Sequence, residues 1–514
     1  MKNIKINLKT LVALIASASL ITGCAKISDF GDTNLNPDAV TLPVPSALLT
    51  SAESSLPGFS SSTVTFLYCQ YGAETQYTDA SLYSLPQFES TGTYVGPLMD
   101  LQVILNTPLA TVHEKAVAKI LKSYYIMRVT DRWGDVPYSE ALQGAGNLAP
   151  KYDMQEDIYK AMFTDLADAI TELGTVSAPL KGDIVYGGDV AKWKKAANSI
   201  RLIAALRLSK KTGATLADAK AAFEAAATDP NGIIASNADN FSLTHPGGPQ
   251  GSVFQNPWYR LYFTRDDYAI SKTMTDCLNG LGDNRISAFC GPLLVTIPPT
   301  TTTIGFPYGL TRDLAISFTN SIGNNQARVL HPTKRAESGP TSNIVMIGAA
   351  QSLLAWAEGL QLGWASNGTA KAAYDAGVAA SFGQWGLTMP ATYLTTGPAN
   401  FTSGSGVAAI GQNAAPWDAI PAAQNASTST PVKRIQLQRW LASYPDGDEG
   451  WAEWRRTGVP DLRPSRFATN SGGQIPRRYV YGVNEAATNP AQLAIAVGRL
   501  TGGDTQDAKI WWDQ

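Results

Sequence analysis

The sequence predicts a mainly α protein, built from stacked helical hairpins and carrying long ordered loops with a few short strands. Three observations predict it. Apolar residues recur at helical spacing along much of the chain, neighbouring stripes are separated by gaps short enough for hairpins, and the intervals elsewhere are long and rich in Gly, Pro, Ser and Thr. Stacked hairpins of this kind make up tetratricopeptide-type solenoids. The 34-residue signature of those repeats is not found, so any such repeats are divergent.

The first stripe is Val117, Ile120, Tyr124 and Met127, and the second Ile158, Met162, Leu166, Ile170 and Leu173. Trp193, Ala197, Ile200, Ala204 and Leu208 form the third, and Leu216, Ala219, Phe223 and Ala226 a shorter fourth. Val345, Ala349, Leu353, Trp356, Leu360 and Trp364 mark a long helix, followed by Tyr374, Val378, Phe382 and Trp385. Two short helices are expected at about 433–443 and 448–456. Segments 193–210 with 215–227, and 343–364 with 369–386, read as antiparallel hairpins. Segments 228–257, 291–342 and 387–432 are loops longer than usual, poor in charge and supplied with aromatics, and are expected to be ordered.

The N-terminus carries an address. Lys2, Lys5 and Lys9 precede an apolar run of eleven, "LVALIASASLI", too short to span a bilayer and suited to a signal peptide. "ITGC" follows, with small residues directly before Cys24, and resembles a bacterial lipobox. The expected organisation is a signal peptide at 1–23, a tether at 24–45 lipidated on Cys24, and one domain at 46–514. An ordinary secretory signal with a chance cysteine is the alternative.

Composition excludes several classes. A formal charge of −2 and a pI near 6.0 give no reason to propose a nucleic-acid partner. Cys69, Cys277 and Cys290 show no CxxC; Cys277 and Cys290 could pair, or all three could be buried thiols. His113, His245 and His331 are far apart without HExxH, so neither a metal site nor a cofactor is indicated. There is no GxSxG or SxxK, and the glycine run "GAGNLA" follows no strand.

One stretch, "RVTDRWGDVPYSEAL" (128–142), concentrates Asp131, Arg132, Trp133, Asp135 and Tyr138. It reads as a structural corner: Gly134 can end a helix in the left-handed conformation and Pro137 prevents its continuation. Paired carboxylates beside an aromatic also suit acid/base chemistry, if one carboxyl were held protonated. Spacing alone does not choose between them.

"TDRWGDVPYSEAL" resembles the signature corner of SusD/RagB-type nutrient-binding outer-membrane lipoproteins, in particular their SusD-like, starch-binding-associated branch. The resemblance runs along nearly the whole chain: "NLNPDAVTLP" (34–43), "WKKAANSIRLIAALRLSK" (193–210), "SKTMTDCLNGLGDNRISAF" (271–289), "NIVMIGAAQSLLAWAEGLQLGW" (343–364), "QRWLASYPDGDEGWAEWRRTGVPDL" (438–462) and "IWWDQ". It departs from the family where Asn284 replaces a proline and Gln351 stands in place of a common acidic residue. It implies a tetratricopeptide-like scaffold with a loop-rich, ligand-binding half. It also implies a non-enzymatic protein on the outer face of the outer membrane. Such a protein closes over a SusC-like TonB-dependent transporter and hands it oligosaccharides, or peptides in some relatives.

Sugar rings present apolar C–H faces that stack on aromatic rings, while their hydroxyls need polar partners. Two aromatic clusters lie off the clean helical stripes. "QYTDASLYSLPQF" offers Tyr77, Tyr83 and Phe88; "NPWYRLYFTRDDY" offers Trp258, Tyr259, Tyr262 and Phe263 beside Asn256, Arg260, Arg265 and Asp266. Trp258 and Tyr259 are the leading ligand contacts, with Tyr262, Tyr77 and Tyr83 behind them. Against this, the same rings could pack inward from an amphipathic helix. Two rival functions use other features: a surface hydrolase with Asp131/Asp135 or "DGDEGWAE" (446–453) as its carboxylates, or a solenoid that grips another protein.

Overall fold

The computed structural model describes residues 42–85, 88–290, 305–323, 339–395, 399–400 and 430–514. The signal peptide, Cys24 and most of the tether fall outside these residues. So do the larger parts of the long segments at 291–342 and 387–432, together with His331.

All eight expected helices are present: Val112–Trp133, Gln155–Glu172, Val190–Arg207, Gly213–Ala227, Ala349–Gln361, Ala370–Gln384, Pro431–Ala442 and Gly447–Thr457. Their starts follow from local chemistry. Thr111 and Glu114 form a reciprocal capping box before Val112, Asp189 caps Val190–Arg207, and Asp446 caps Gly447–Thr457 by accepting from the Glu449 N–H at 3.2 Å. Consecutive helices pack on each other, the Ala349–Gln361/Ala370–Gln384 pair most extensively. The stripes close on one apolar core, in which Trp193, Phe223, Leu354, Val378 and Trp440 are fully buried.

The structure corrects the long helix expected at 343–364. Asn343–Ile347 is a strand, paired antiparallel with Phe241–Thr244, and the helix begins only at Ala349. "NIVMI" is β-branched and ends at Gly348, which is strand chemistry that the apolar stripe absorbed. Further helices lie where no stripe was assigned, including Pro45–Ser54, Thr63–Tyr68, Lys272–Leu281 and Arg312–Ser321. Two other short antiparallel pairs lie among the described residues, Gly72–Glu74 with Tyr268–Ile270 and Val136–Pro137 with Tyr152–Asp153.

Gly134 ends the Val112–Trp133 helix, although not in the left-handed helical conformation. Its φ of 92° and ψ of −124° define a region that only glycine enters readily. Gly447 meets another constraint: a Cβ there would lie 2.1 Å from the Phe66 backbone nitrogen, so the Thr63–Tyr68 helix can approach only a bare backbone.

Cys69, Cys277 and Cys290 are buried free thiols, so the possible Cys277–Cys290 disulfide does not form. His113 Nε2 and His245 Nδ1 bond to the carbonyls of Thr175 and Ser342. Among the described residues no cluster of His, Cys, Asp and Glu could hold a metal ion. No helix among them is long and apolar enough to cross a membrane.

Candidate functional site

The corner is the hub of a buried polar network. Asp131 Oδ1 accepts from Tyr159 Oη at 2.6 Å and from Trp512 Nε1 at 2.7 Å, while Oδ2 accepts from Arg207 Nε at 3.3 Å. Arg207 continues to Glu449 and Glu453. Glu453 also takes Arg439 and Arg456, and Arg456 grips Glu358 with both terminal nitrogens at 2.8 and 2.7 Å. Arg128 reaches Asp446 at 2.9 Å and Arg132 pairs bidentately with Asp448. Burial opposes charge on Glu453, but Arg439, Arg456 and Arg207 outweigh it and hold the carboxyl well below its ordinary range.

Trp133 is buried, donating Nε1 to the Phe88 carbonyl at 3.2 Å and meeting Tyr479 edge-on at 5.2 Å. Asp135 accepts the Gln155 N–H at 2.8 Å and pairs with Arg499. These carboxylates and the acidic run 446–453 are thus tied into the scaffold, with donors fixed on each. This is the architectural reading of the corner.

The two aromatic clusters meet at a sheet edge. Gly72–Glu74 pairs with Tyr268–Ile270 in the register Glu74↔Tyr268, so the residues after the first strand face those before the second. Thr75 seals the junction: its N–H donates to the Asp267 carbonyl at 2.9 Å and its hydroxyl to the Asp266 carbonyl at 2.6 Å. The Arg312–Ser321 helix closes a third side, with Thr319 Oγ1 donating to the Thr75 carbonyl at 3.3 Å. The result is an open cleft of about 460 Å³ lined by Thr75, Gln76, Thr264, Arg265, Asp266, Asp267, Ile316, Thr319 and Asn320.

Tyr77 stands beside this cleft, 41% exposed, with the Arg265 and Arg312 guanidinium carbons 5.0 and 5.1 Å from its ring centre. Tyr259 is 37% exposed on the short Pro257–Leu261 helix, whose start is capped by Asn256. Tyr262 is half-buried and donates its hydroxyl to the Tyr268 carbonyl.

Trp258 and Tyr83 are placed differently from expectation. Trp258 is 3% exposed, its ring 5.0 Å from that of Phe66, and Tyr83 is 1% exposed against Tyr68. Both rings are buried in the core. Asn256 caps the helix in a way that turns Trp258 inward and leaves Tyr259 outward, a choice made by helix phase.

Arg312, Thr319 and Asn320 were not singled out by the sequence, because their helix lies in a segment read as a loop. The available signal was the Leu314/Phe318 pair one turn apart behind Thr311. Phe254 was missed as well and is 63% exposed beside the Gly/Pro run.

Helical hairpins that carry a polar, aromatic-flanked cleft on their loops define a helical binding scaffold. The chain belongs to the SusD-like family described as "Starch-binding associating with outer membrane", whose model matches residues 37–482. Solved structures agree. A chitin-binding protein is 25% identical over 91% of this chain and 100% of its own, with a TM-score of 0.73. A chitin-binding SusD homolog from Flavobacterium johnsoniae is 24% identical over 91% and 98%, at 0.77. A SusD homolog from Bacteroides uniformis is 26% identical over 91% and 99%, at 0.71. No curated protein sequence matches this chain.

Proposed function

We propose that this protein is a surface-exposed lipoprotein, anchored through Cys24 in the outer membrane, that captures oligosaccharides and delivers them to a SusC-like TonB-dependent transporter. It acts as a binder and not as an enzyme. The observation that carries the reading is the cleft beside Tyr77, within a chain whose family is described as starch-binding. An exposed ring offers a stacking face, and Gln76, Thr264, Arg265, Asp266, Thr319 and Asn320 offer donors and acceptors for hydroxyls. The similar chitin-binding structure favours β-linked N-acetylhexosamine chains as the first ligands to try. Acetamide carbonyls accept from guanidinium N–H groups, which Arg265 and Arg312 supply.

The surface hydrolase is the weaker reading, since Asp131, Asp135 and the 446–453 carboxylates are committed to ion pairs and hydrogen bonds within the scaffold. The test is calorimetric titration of the mature protein with starch- and chitin-derived oligosaccharides and with peptides, beside recovery of its partners from intact membranes. Saturable glycan binding without turnover, with a barrel co-purifying, is the expected result. Peptide binding alone would move the protein to the peptide-capturing relatives, and hydrolysis would restore the enzyme reading.

A further inference from the structure

We propose that Phe254 and Tyr259 form a second glycan platform, which continues the ligand cleft and makes the protein select long chains over short ones. This rests on the cleft reading above and adds to it a contact surface and a class of ligand, oligosaccharides long enough to reach from Tyr77 to Phe254.

Exposure picks out the rings. Among the described residues, Tyr77, Phe254 and Tyr259 are the only aromatic side chains that stand exposed. All three lie on the two segments that the strand pair Gly72–Glu74 and Tyr268–Ile270 brings together. The stretch 264–267, which lines the cleft, begins five residues after Tyr259, a span of at most about 18 Å. Half-buried Tyr262 and Phe263 lie in that interval, so apolar surface runs on from the cleft toward the platform. Val253, beside Phe254, is exposed as well.

Phe254 is held outward by a fastened loop. Its carbonyl accepts the Gly247 N–H at 3.1 Å, and its own N–H donates to Ser252 Oγ at 3.2 Å. Buried Gln255 staples the loop from inside: Nε2 donates to the Gly248 carbonyl and Oε1 accepts the Gly251 N–H, both at 3.1 Å. Arg260, on the same short helix as Tyr259, donates to the Val253 carbonyl at 3.3 Å, which ties the two rings' segments together. The Asn256 N–H anchors the whole stretch on the Pro340 carbonyl at 3.0 Å. A ring left in water contributes little to the fold, but one on a fastened loop is already ordered when a sugar face meets it. A disaccharide in the cleft does not extend to this ring. A longer chain, once held at Tyr77, meets it as an intramolecular contact and gains affinity that the short one cannot.

The experiment is calorimetry on the wild type, Phe254→Ala and Tyr77→Ala with chitobiose and chitohexaose, and with maltose and maltohexaose, beside thermal unfolding of each protein. Amide hydrogen exchange of residues 245–261 is followed with each sugar. The expected result is that the wild type binds the hexasaccharide about tenfold or more tighter than the disaccharide. Phe254→Ala should lose most of that advantage, keep the disaccharide affinity and keep its melting temperature, and Tyr77→Ala should weaken both lengths. Protection of residues 245–261 should appear with the hexasaccharide and not with the disaccharide. An unchanged hexasaccharide affinity in Phe254→Ala would overturn the inference, as would an equal loss at both lengths. If Phe254→Ala kept its glycan affinity and no longer recovered a barrel from membranes, the ring would belong to a protein interface and the inference would fall. Tyr77→Ala separates the two layers: if it binds as the wild type does, the cleft reading fails, whereas the length dependence of Phe254→Ala reads the platform alone. If neither sugar series bound the wild type, both readings would fall together.

Discussion

Trp512 Nε1 donates to Asp131 Oδ1 at 2.7 Å, joining the C-terminal segment to the corner where the Val112–Trp133 helix ends. Asp131 also receives Tyr159 and Arg207, so one carboxylate ties together four separate segments. Replacing it by Ala leaves Arg207 partly uncompensated in the core and two ring donors without an acceptor. The expected loss is about 3–5 kcal/mol, the usual cost of breaking a buried ion pair from one side. Denaturant unfolding of Asp131→Ala against the wild type measures it, and a change under about 1 kcal/mol would show that the network is incidental.

Trp133 tests the same corner through packing. Its ring meets Tyr479 edge-on at 5.2 Å and its N–H is bonded to the Phe88 carbonyl. Trp133→Ala should lower stability by about 3 kcal/mol or more, while the glycan affinity of the folded fraction barely moves. A variant that kept its melting temperature and lost binding would return the corner to the ligand site.

The helices were legible because amphipathic periodicity is a local property: Ile158, Met162, Leu166 and Ile170 announce their helix without reference to anything else. Strand Asn343–Ile347 was not, because its partner, Phe241–Thr244, lies about a hundred residues away and a short apolar run suits either structure. The corner's aspartates were legible as punctuation but not as a network, since Arg207, Glu358 and Glu453 reach them only through tertiary packing. The candidate site divides the same way. Both aromatic clusters stood out, yet which rings face outward depends on a helix phase at Asn256 and on a strand register at Glu74. Burial therefore claimed Trp258 and Tyr83 and left Tyr77 and Tyr259.

A second buried carboxyl makes stability depend on pH. Glu53, fully buried at the end of the Pro45–Ser54 helix, accepts the Ile184 N–H at 2.6 Å and lies against Asp183. Burial first and the Asp183 charge second push it up to about 9. The folded protein then holds a proton that the unfolded chain has released. The contribution is fully present below the unfolded value of 4.5 and is lost progressively as pH rises to about 9. Within that window the slope from this group approaches about 1.4 kcal/mol per pH unit. Unfolding free energies measured from pH 5 to pH 9 should fall less steeply for Glu53→Gln than for the wild type. Equal slopes would mean that Glu53 is ionised in the folded protein.

The proposed tether makes a separate claim. Several acyl chains on Cys24 would give durable membrane attachment, at about 0.8 kcal/mol per buried CH₂. Cys24→Ala should therefore leave the outer-membrane fraction and lose incorporation of labelled fatty acid. Continued pelleting with label attached would place the lipid elsewhere.

The binding surface is the most exacting prediction, because neighbouring aromatics must behave in opposite ways. A protein that captures a nutrient and then releases it to a transporter needs modest affinity, on the order of micromolar to millimolar, or about −8 to −4 kcal/mol. One or two exposed rings with polar neighbours can supply this, since a fixed tyrosine loses little conformational entropy on binding. Tyr77→Ala removes a 41% exposed ring that packs chiefly on Arg265 and Arg312, so the melting temperature should hold while glycan affinity falls about tenfold or more. Tyr259→Ala should act in the same direction and more weakly. Trp258→Ala instead empties a core position against Phe66 and should cost about 3–5 kcal/mol of stability, with little change in the affinity of the protein that remains folded. Calorimetry paired with thermal unfolding on the three variants reads both quantities. If Trp258→Ala abolished binding at an unchanged melting temperature, the ring would have to leave the core to meet the ligand, and the cleft beside Tyr77 would lose its claim.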